Sequence, residues 1–185
     1  MYKEALKSAE EHMRAGIEAT KHEFLSIRTG RANPAILDRV VVEYYGTPTP
    51  LNQVSNIVAP EARLIVIQPW ERNMLGPIEK AILRSDLGLN PTNDGHAIRI
   101  AIPPLTEERR RDLVKVVRKA AEEQRVGIRN IRRDTNDKLK AMKKSGEITE
   151  DQEKKALEDV QKLTDKYIGE IDRLLEAKER EIMEV

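Results

Sequence analysis

No cysteine occurs in this chain of 185 residues. That excludes disulfides and thiolate chemistry, and makes a reducing compartment the simpler expectation. Aromatic side chains are scarce, with one Trp, one Phe and four Tyr. Readers of single-stranded RNA sequence usually stack bases on aromatic rings, so that mode has little to work with here. No apolar run approaches the roughly 20 residues a membrane helix needs. The opening "MYKEALKSAEEH" has no apolar signal core. A soluble cytoplasmic protein without membrane contact is expected. Charge of neither sign dominates: Lys+Arg is 33 against Asp+Glu 32. Net charge therefore predicts no partner, and polyanion binding would have to come from the arrangement of charge.

Chemistry-bearing patterns are also missing. There is no Gly-rich loop of phosphate-cradling spacing. His12, His22 and His96 are scattered, without partners at metal-ligand spacing. Asp94-Gly95 reads as a turn, and Trp70 as a packing or surface-anchoring residue. No nucleophile–base pair stands out. The expectation is a non-enzyme with no catalytic residues, no metal and no cofactor.

Proline is absent from both ends of the chain. All nine prolines lie between Pro34 and Pro104. Because proline breaks helix interiors, the flanks are free to form long helices and the middle is not. Charged residues at 35% with few aromatics also suit long, exposed helices. In the first flank, Leu6, Ala9, Met13, Gly16, Thr20, Phe24 and Ile27 step by three and four. This predicts one apolar helical stripe, stopped by Gly30. The second flank opens with Thr106 as N-cap, followed by Glu107 and Glu108 at the positive helix end. Its stripe runs through Leu113, Val117, Ala120, Gln124, Ile128, Ile131, Thr135, Leu139 and Met142, with Gly146 as the stop. Thr149 and Gln152 form a capping box for a third helix, striped by Leu157, Val160, Thr164, Tyr167, Ile171 and Leu174.

Each stripe must be buried against the others, which gives a long antiparallel three-helix bundle. The second helix, at about 40 residues, would span roughly 60 Å, so the bundle is a rod. The middle reads as a small α/β domain. "RVVVEYY", "RLIVIQP" and "AIRIAIP" predict strands, and "NMLGPIEKAILRSDLG" a short helix stopped by Gly88. "NPTNDG" reads as a turn cluster. The fold class is α+β: residues 1–29 and 105–185 form the bundle, and 30–104 are an inserted domain. Two crossings join them and form candidate hinges, Thr29-Gly30-Arg31 and Pro103-Pro104-Leu105-Thr106.

The strongest feature is a row of arginines. At 100° per residue, Arg111, Lys115, Arg118, Arg125, Arg129, Arg132 and Arg133 fall within about 60° of one direction, more than 100° from the apolar stripe. On this helix only Glu122 interrupts them. The row runs along about 30 Å of rod. Arginine's planar fork matches phosphate oxygens, so a folded RNA, recognised by phosphate and shape, is the expected target. A charged outer face also occurs on ordinary bundle helices, held by pairs with nearby acids. Here one sign dominates, and six of the seven cations are Arg. Arg109 and Arg110 at the helix start add to the cluster, as do Arg28 and Arg31 at the hinge.

Five blocks carry a resemblance: "IRTGRANP" (27–34), "VEYYGTPTPLNQ" (42–53), "SDLGLNP" (85–91), "PPLTEERR" (103–110) and "IRNIRRD" (128–134). They resemble the bacterial ribosome recycling factor family, in the same order and over essentially the whole chain. The resemblance implies an L-shaped, tRNA-like molecule, a three-helix bundle carrying a hinged α/β domain, acting as a monomer. It implies binding to the post-termination ribosome and, with elongation factor G and GTP hydrolysis by that partner, dissociation into subunits and release from messenger RNA. It also implies that residues matching Arg110, Arg129 and Arg132 face large-subunit ribosomal RNA. Gly127 departs from the family pattern, which favours alanine, and a mid-helix glycine costs about 1 kcal/mol against alanine. The alternative reading is a non-catalytic RNA chaperone or ribosome-assembly protein that coats folded RNA through the same row. A passive coat has no need of a hinged second domain.

Overall fold

The computed structural model describes residues 2–27 and 29–184. It has four α-helices: α1 (Tyr2–Leu25), α2 (Leu75–Arg84), α3 (Glu107–Lys144) and α4 (Glu150–Met183). The described residues divide into two compact units. One joins the residues up to Ile27 with Arg111–Glu184, and the other holds the intervening stretch to Arg110.

The first unit is built of α1, α4 and most of α3, with no strand among its described residues. Ile128 of α3 lies against Gly16 of α1, and Gln124 reaches back to Glu23. Leu139 shares a cluster with Tyr2 and Leu6. Residue numbers on α3 thus fall as those on α1 rise, so α3 runs against α1. It also runs against α4, to which the short turn at Gly146 joins it, and α1 and α4 therefore run parallel. The stripes supply the core: Met13 and Ile17 from α1, Val117 and Ile128 from α3, Val160, Tyr167 and Ile171 from α4, all buried. One buried threonine comes from each helix. Thr20, Thr135 and Thr164 donate to the carbonyls of Gly16, Ile131 and Val160 at 2.7, 2.8 and 2.8 Å, so none is an unsatisfied polar group. Gly16 permits the close approach of α1 and α3, since a Cβ there would lie 3.3 Å from Ile128 Cδ1.

The caps behave as their residue types require. Thr106 Oγ1 accepts from the Arg109 amide at 3.1 Å. Gly146 takes φ +80°, and the Glu147 amide closes the end of α3 on the Met142 carbonyl at 2.9 Å. Thr149 and Gln152 form the reciprocal box at 3.1 and 2.8 Å. Two helix ends differ from expectation. α1 ends at Leu25, before Gly30, because the Ser26 hydroxyl donates to the Glu23 carbonyl at 2.6 Å and the Ser26 and Ile27 amides bond three residues back. α2 ends at Arg84, before Gly88, where Ser85 turns extended and its hydroxyl takes the Ile82 carbonyl.

Gly127 sits within α3 with nothing within 4 Å of where a Cβ would be. Its helix penalty is therefore uncompensated by packing. Gly127→Ala should stabilise the helical unit by about 1 kcal/mol. Thermal unfolding followed by circular dichroism should show its transition rising by roughly 2–4 °C. An unchanged or lower midpoint would mean that the glycine serves the helix in some other way.

The second unit contains six strands: β1 (Val41–Tyr44), β2 (Thr47–Pro50), β3 (Ser55–Glu61), β4 (Leu64–Pro69), β5 (Pro91–Asn93) and β6 (Ile98–Ala101). β1 and β2 form a two-stranded sheet, and the others an antiparallel sheet in the order β3-β4-β6-β5. Ile65, Ile67, Ile98 and Ile100 of the central strands meet Ile78 and Ile82 of α2 in one core. The strands at "RVVVEYY", "RLIVIQP" and "AIRIAIP" agree with the alternation read from sequence. β2, β3 and β5 do not announce themselves, because each contains proline. Each lies at a sheet edge, where a missing N–H is tolerated.

The β5–β6 turn, within "NPTNDG", depends on Asp94. Its Oδ1 accepts from the His96 and Ala97 amides, each at 2.8 Å. The Ala97 and His96 amides and then Arg99 favour the ionised carboxylate, lowering its pKa from 3.8 to about 2. A carboxyl group whose pKa is depressed on folding stabilises the protein above its unfolded value and loses that contribution as pH falls through the folded one. Asp94 should therefore support the hairpin above pH 4 and cease to do so between about pH 4 and pH 2. Carboxyl NMR titration of the folded protein should return a value near 2. A midpoint at the ordinary aspartate value would remove the turn's electrostatic support.

Candidate nucleic-acid interface

The α3 arginines are held in place by α3 itself, continuous through Glu107–Lys144 and fixed by its stripe. They do not all project in the same way. Arg118, Arg125 and Arg132, spaced by seven, reach toward α4. Arg118 bonds Glu179, and Arg125 bonds Asp172 through Nε at 2.8 Å and Nη2 at 2.6 Å. Arg132 Nη1 donates to Gln161 Oε1 at 3.1 Å, and Gln161 Nε2 donates to Asp165 at 2.9 Å. Asp165, Asp172 and Glu179 of α4 are also spaced by seven. Two heptad ladders on antiparallel helices thus meet along one seam. A wheel drawn for α3 alone shows Glu122 as the single acid, because the other carboxylates belong to the neighbouring helix.

Glu122 is itself shared. Its oxygens accept from Arg125 Nη1 at 3.1 Å and Arg129 Nη1 at 3.0 Å. Those bonds, Arg129's first, hold its pKa below the usual glutamate range. Arg125 is the most enclosed of the ion-paired arginines on α3, with its side chain 18% exposed and two carboxylates on its guanidinium. It works as a clamp between α3 and α4. Arg118 is exposed and singly paired. Water screens exposed pairs of this kind, so exchanging such a carboxylate for a phosphate costs little.

Toward the middle of α3 the balance changes. Arg129 is 40% exposed and keeps only Glu122. Arg132 gives one nitrogen to a neutral amide, and its Nε, like Asn136 Oδ1 one turn on, is buried without a hydrogen bond. Arg133 is exposed and makes no ion pair among the described residues. Lys115 is likewise exposed and unpaired among them. Arg132 and Arg133 thus meet no protein carboxylate among the described residues, and Arg129 beside them meets only the Glu122 that it shares with Arg125. Arg111 is exposed but has a partner. Arg110, one residue earlier, points about 100° away from Arg111 on the helix and is half-buried, with its Nε buried and unbonded. Arg31 is exposed and partnered, and Arg28 lies outside the described residues.

The crossing segments are tied to the small unit. The Ala32 amide donates to the Ala62 carbonyl at 2.7 Å, and the Ile102 amide to the Arg63 carbonyl at 2.8 Å. Both segments are therefore pinned to the turn between β3 and β4. Thr29 is buried. Gly30 adopts φ +81°, and a Cβ there would lie 3.0 Å from Leu105 Cγ. Pro103, Pro104 and Thr106 are exposed and Leu105 is half-buried. Gln161, Asp172 and Glu179 are the functional neighbours that the sequence reading missed. The seven-residue spacing of the α4 acids, set against that of the arginines, is the signal that would have found them.

The model of the family described as ribosome recycling factor matches residues 20–183. The ribosome-recycling factor of Carboxydothermus hydrogenoformans is 60% identical over 185 residues, covering 100% of both chains. That of Caldicellulosiruptor bescii is 63% identical over 182 residues, covering 98% of this chain and 99% of its own. A solution structure of a ribosome recycling factor superposes with a TM-score of 0.81 at 48% identity, over 100% of this chain and 98% of that one. A T. thermophilus ribosome recycling factor, bound with E. coli elongation factor G to the E. coli post-termination complex, gives 0.68 at 51% identity over 100% of both chains.

Proposed function

Because the chain belongs to the ribosome recycling factor family, we propose that it binds the post-termination ribosome and, with elongation factor G and GTP, drives dissociation into subunits and release from messenger RNA. Members of the family are non-catalytic translation factors, and the GTP hydrolysis belongs to the partner. The observation that carries the residue-level reading is the cluster of three arginines on α3, Arg129, Arg132 and Arg133, which between them meet a single carboxylate, Glu122, among the described residues. These guanidiniums bind large-subunit ribosomal RNA through its phosphates. Lys115, Arg111 and Arg118 extend the contact along the same face. Arg125 keeps the helices together, and Arg110, Arg28 and Arg31 act near the crossings. The protein acts as a cytoplasmic monomer, with one copy on each ribosome.

Residues 29–31 and 103–106 serve as the hinge between the bundle and the inserted domain of residues 30–104. The bundle grips RNA while the small domain receives the push of elongation factor G. The hinge favours this reading over a passive RNA coat, which gains nothing from a second domain on two short tethers. Purified protein mixed with elongation factor G, GTP and post-termination ribosomes should produce free subunits, followed by light scattering. Omitting either protein or replacing GTP by a non-hydrolysable analogue should prevent it. RNA annealing or ribosome assembly without splitting would favour the chaperone reading.

A further inference from the structure

The small unit has four edge strands, and three of them are blocked by proline. β2 carries Pro48 and Pro50, β3 carries Pro60 and a register irregularity between Val58 and Glu61, and β5 is three residues long and begins with Pro91. Such features protect an edge from further pairing. β1 has none of them. It is bonded to β2 alone.

The register identifies which of its groups are free. Tyr44 faces Thr47 across a two-residue turn, Tyr45-Gly46, with φ 49° and 80°. In such a turn the closing pair is hydrogen-bonded, and bonded pairs then alternate along the ladder. Val42–Thr49 is the next bonded pair. Glu43 and Val41 face Pro48 and Pro50, which have no N–H to offer. The backbone groups of Val41 and Glu43 therefore point away from β2.

They point toward a cleft of about 570 Å³ between β1 and α2. Five consecutive residues, Arg39 to Glu43, form one wall, and Gly76, Pro77, Lys80, Ala81 and Arg84 the other. Val41 is 49% exposed there. The charged rim consists of Arg39, Lys80 and Arg84 against the single carboxylate of Glu43, and none of the three cations makes an ion pair among the described residues.

We propose that this cleft is a docking site for an acidic, extended peptide segment of a partner protein, which adds as a strand to the free edge of β1. Main-chain bonds to Val41 and Glu43 supply the register, alternate small apolar side chains cover Val41 and Ala81, and carboxylates meet Arg39, Lys80 and Arg84. The inference goes beyond the ribosomal reading, since it assigns a strand edge and a peptide chemistry that neither the arginine row nor the push on the small domain requires.

The test uses the ¹⁵N-labelled full chain and a capped octapeptide of alternating glutamate and valine. The peptide should shift the Val41 and Glu43 amides and slow their hydrogen exchange at least tenfold, leaving Thr49 unmoved. Lys80→Glu combined with Arg84→Glu, both at exposed positions, should weaken binding at least tenfold. Methylation of alternate peptide amides should abolish it. The proposal is overturned if millimolar peptide leaves Val41 and Glu43 unperturbed, or if a lysine–valine peptide binds as well. It is also overturned if a uridine octanucleotide binds at Arg39, Lys80 and Arg84 more tightly than the peptide, which would make the cleft an RNA site.

Discussion

Arg129→Ala, Arg132→Ala and Arg133→Ala in one chain should weaken ribosome binding roughly a hundredfold at physiological salt. Each phosphate contact releases about 0.7–0.9 of a counterion, which at 0.15 M amounts to most of a factor of ten, so three contacts give about two decades. The same release sets the salt dependence. The slope of log affinity against log salt should fall by about 2–3 in the triple variant and by about 1 in each single one. Stability should barely change, because Arg129 is paired only with an exposed glutamate, Arg132 with an amide, and Arg133 with no carboxylate. Arg125→Ala should do the opposite. It releases Asp172, leaves Glu122 to Arg129 alone, and loosens the α3–α4 seam by about 1 kcal/mol, leaving the salt slope nearly unchanged. Filter binding across a salt series, with thermal melts of each variant, separates the two effects. Parental affinity and slope in the triple variant would remove this face of α3 from the interface.

Gly30→Ala is expected to uncouple splitting from binding. A side chain at φ +81° meets the left-handed penalty of about 1–2 kcal/mol. Its Cβ would also stand 3.0 Å from Leu105 Cγ, closer than van der Waals contact allows. The crossings must move apart or change their dihedral angles, and both are pinned to the β3–β4 turn. The small unit should lose about 2 kcal/mol. Subunit splitting with elongation factor G should fall severalfold more than binding through α3, which lies on the other unit. Adding Leu105→Ala makes room for the methyl group without changing the dihedral angle. The double variant should thus recover part of the loss, giving a favourable coupling between positions 30 and 105. If Gly30→Ala splits ribosomes at the parental rate and unfolds at the parental temperature, the crossing has no special backbone role and the hinge must be sought elsewhere.

The sequence by itself determined the long helices of this protein, their caps and its place in a family. Helical periodicity, a threonine N-cap and a positive-φ glycine are local properties, written within four residues of one another. Burial of the stripes followed necessarily, as Ile17, Val117, Val160 and Ile171 illustrate. Local chemistry also misled at two ends. Ser26 and Ser85 turned the chain before Gly30 and Gly88 could, because a hydroxyl on the nearby carbonyls competes with the helix.

Tertiary structure alone decided the rest. β2, β3 and β5 contain proline and have little alternation of their own, and they become strands because β1, β4 and β6 offer them an edge. The arginine row looked uniform on one helix because a helical wheel has no neighbours. Packing α4 antiparallel to α3 brought Asp172 and Glu179 to Arg125 and Arg118 and gave Arg129, Arg132 and Arg133 no α4 carboxylate. Which cations remain available depends on carboxylates 47 and 61 residues away in the chain. No periodicity within α3 encodes that distance, so only the folded bundle separates the arginines that clamp from those that can bind.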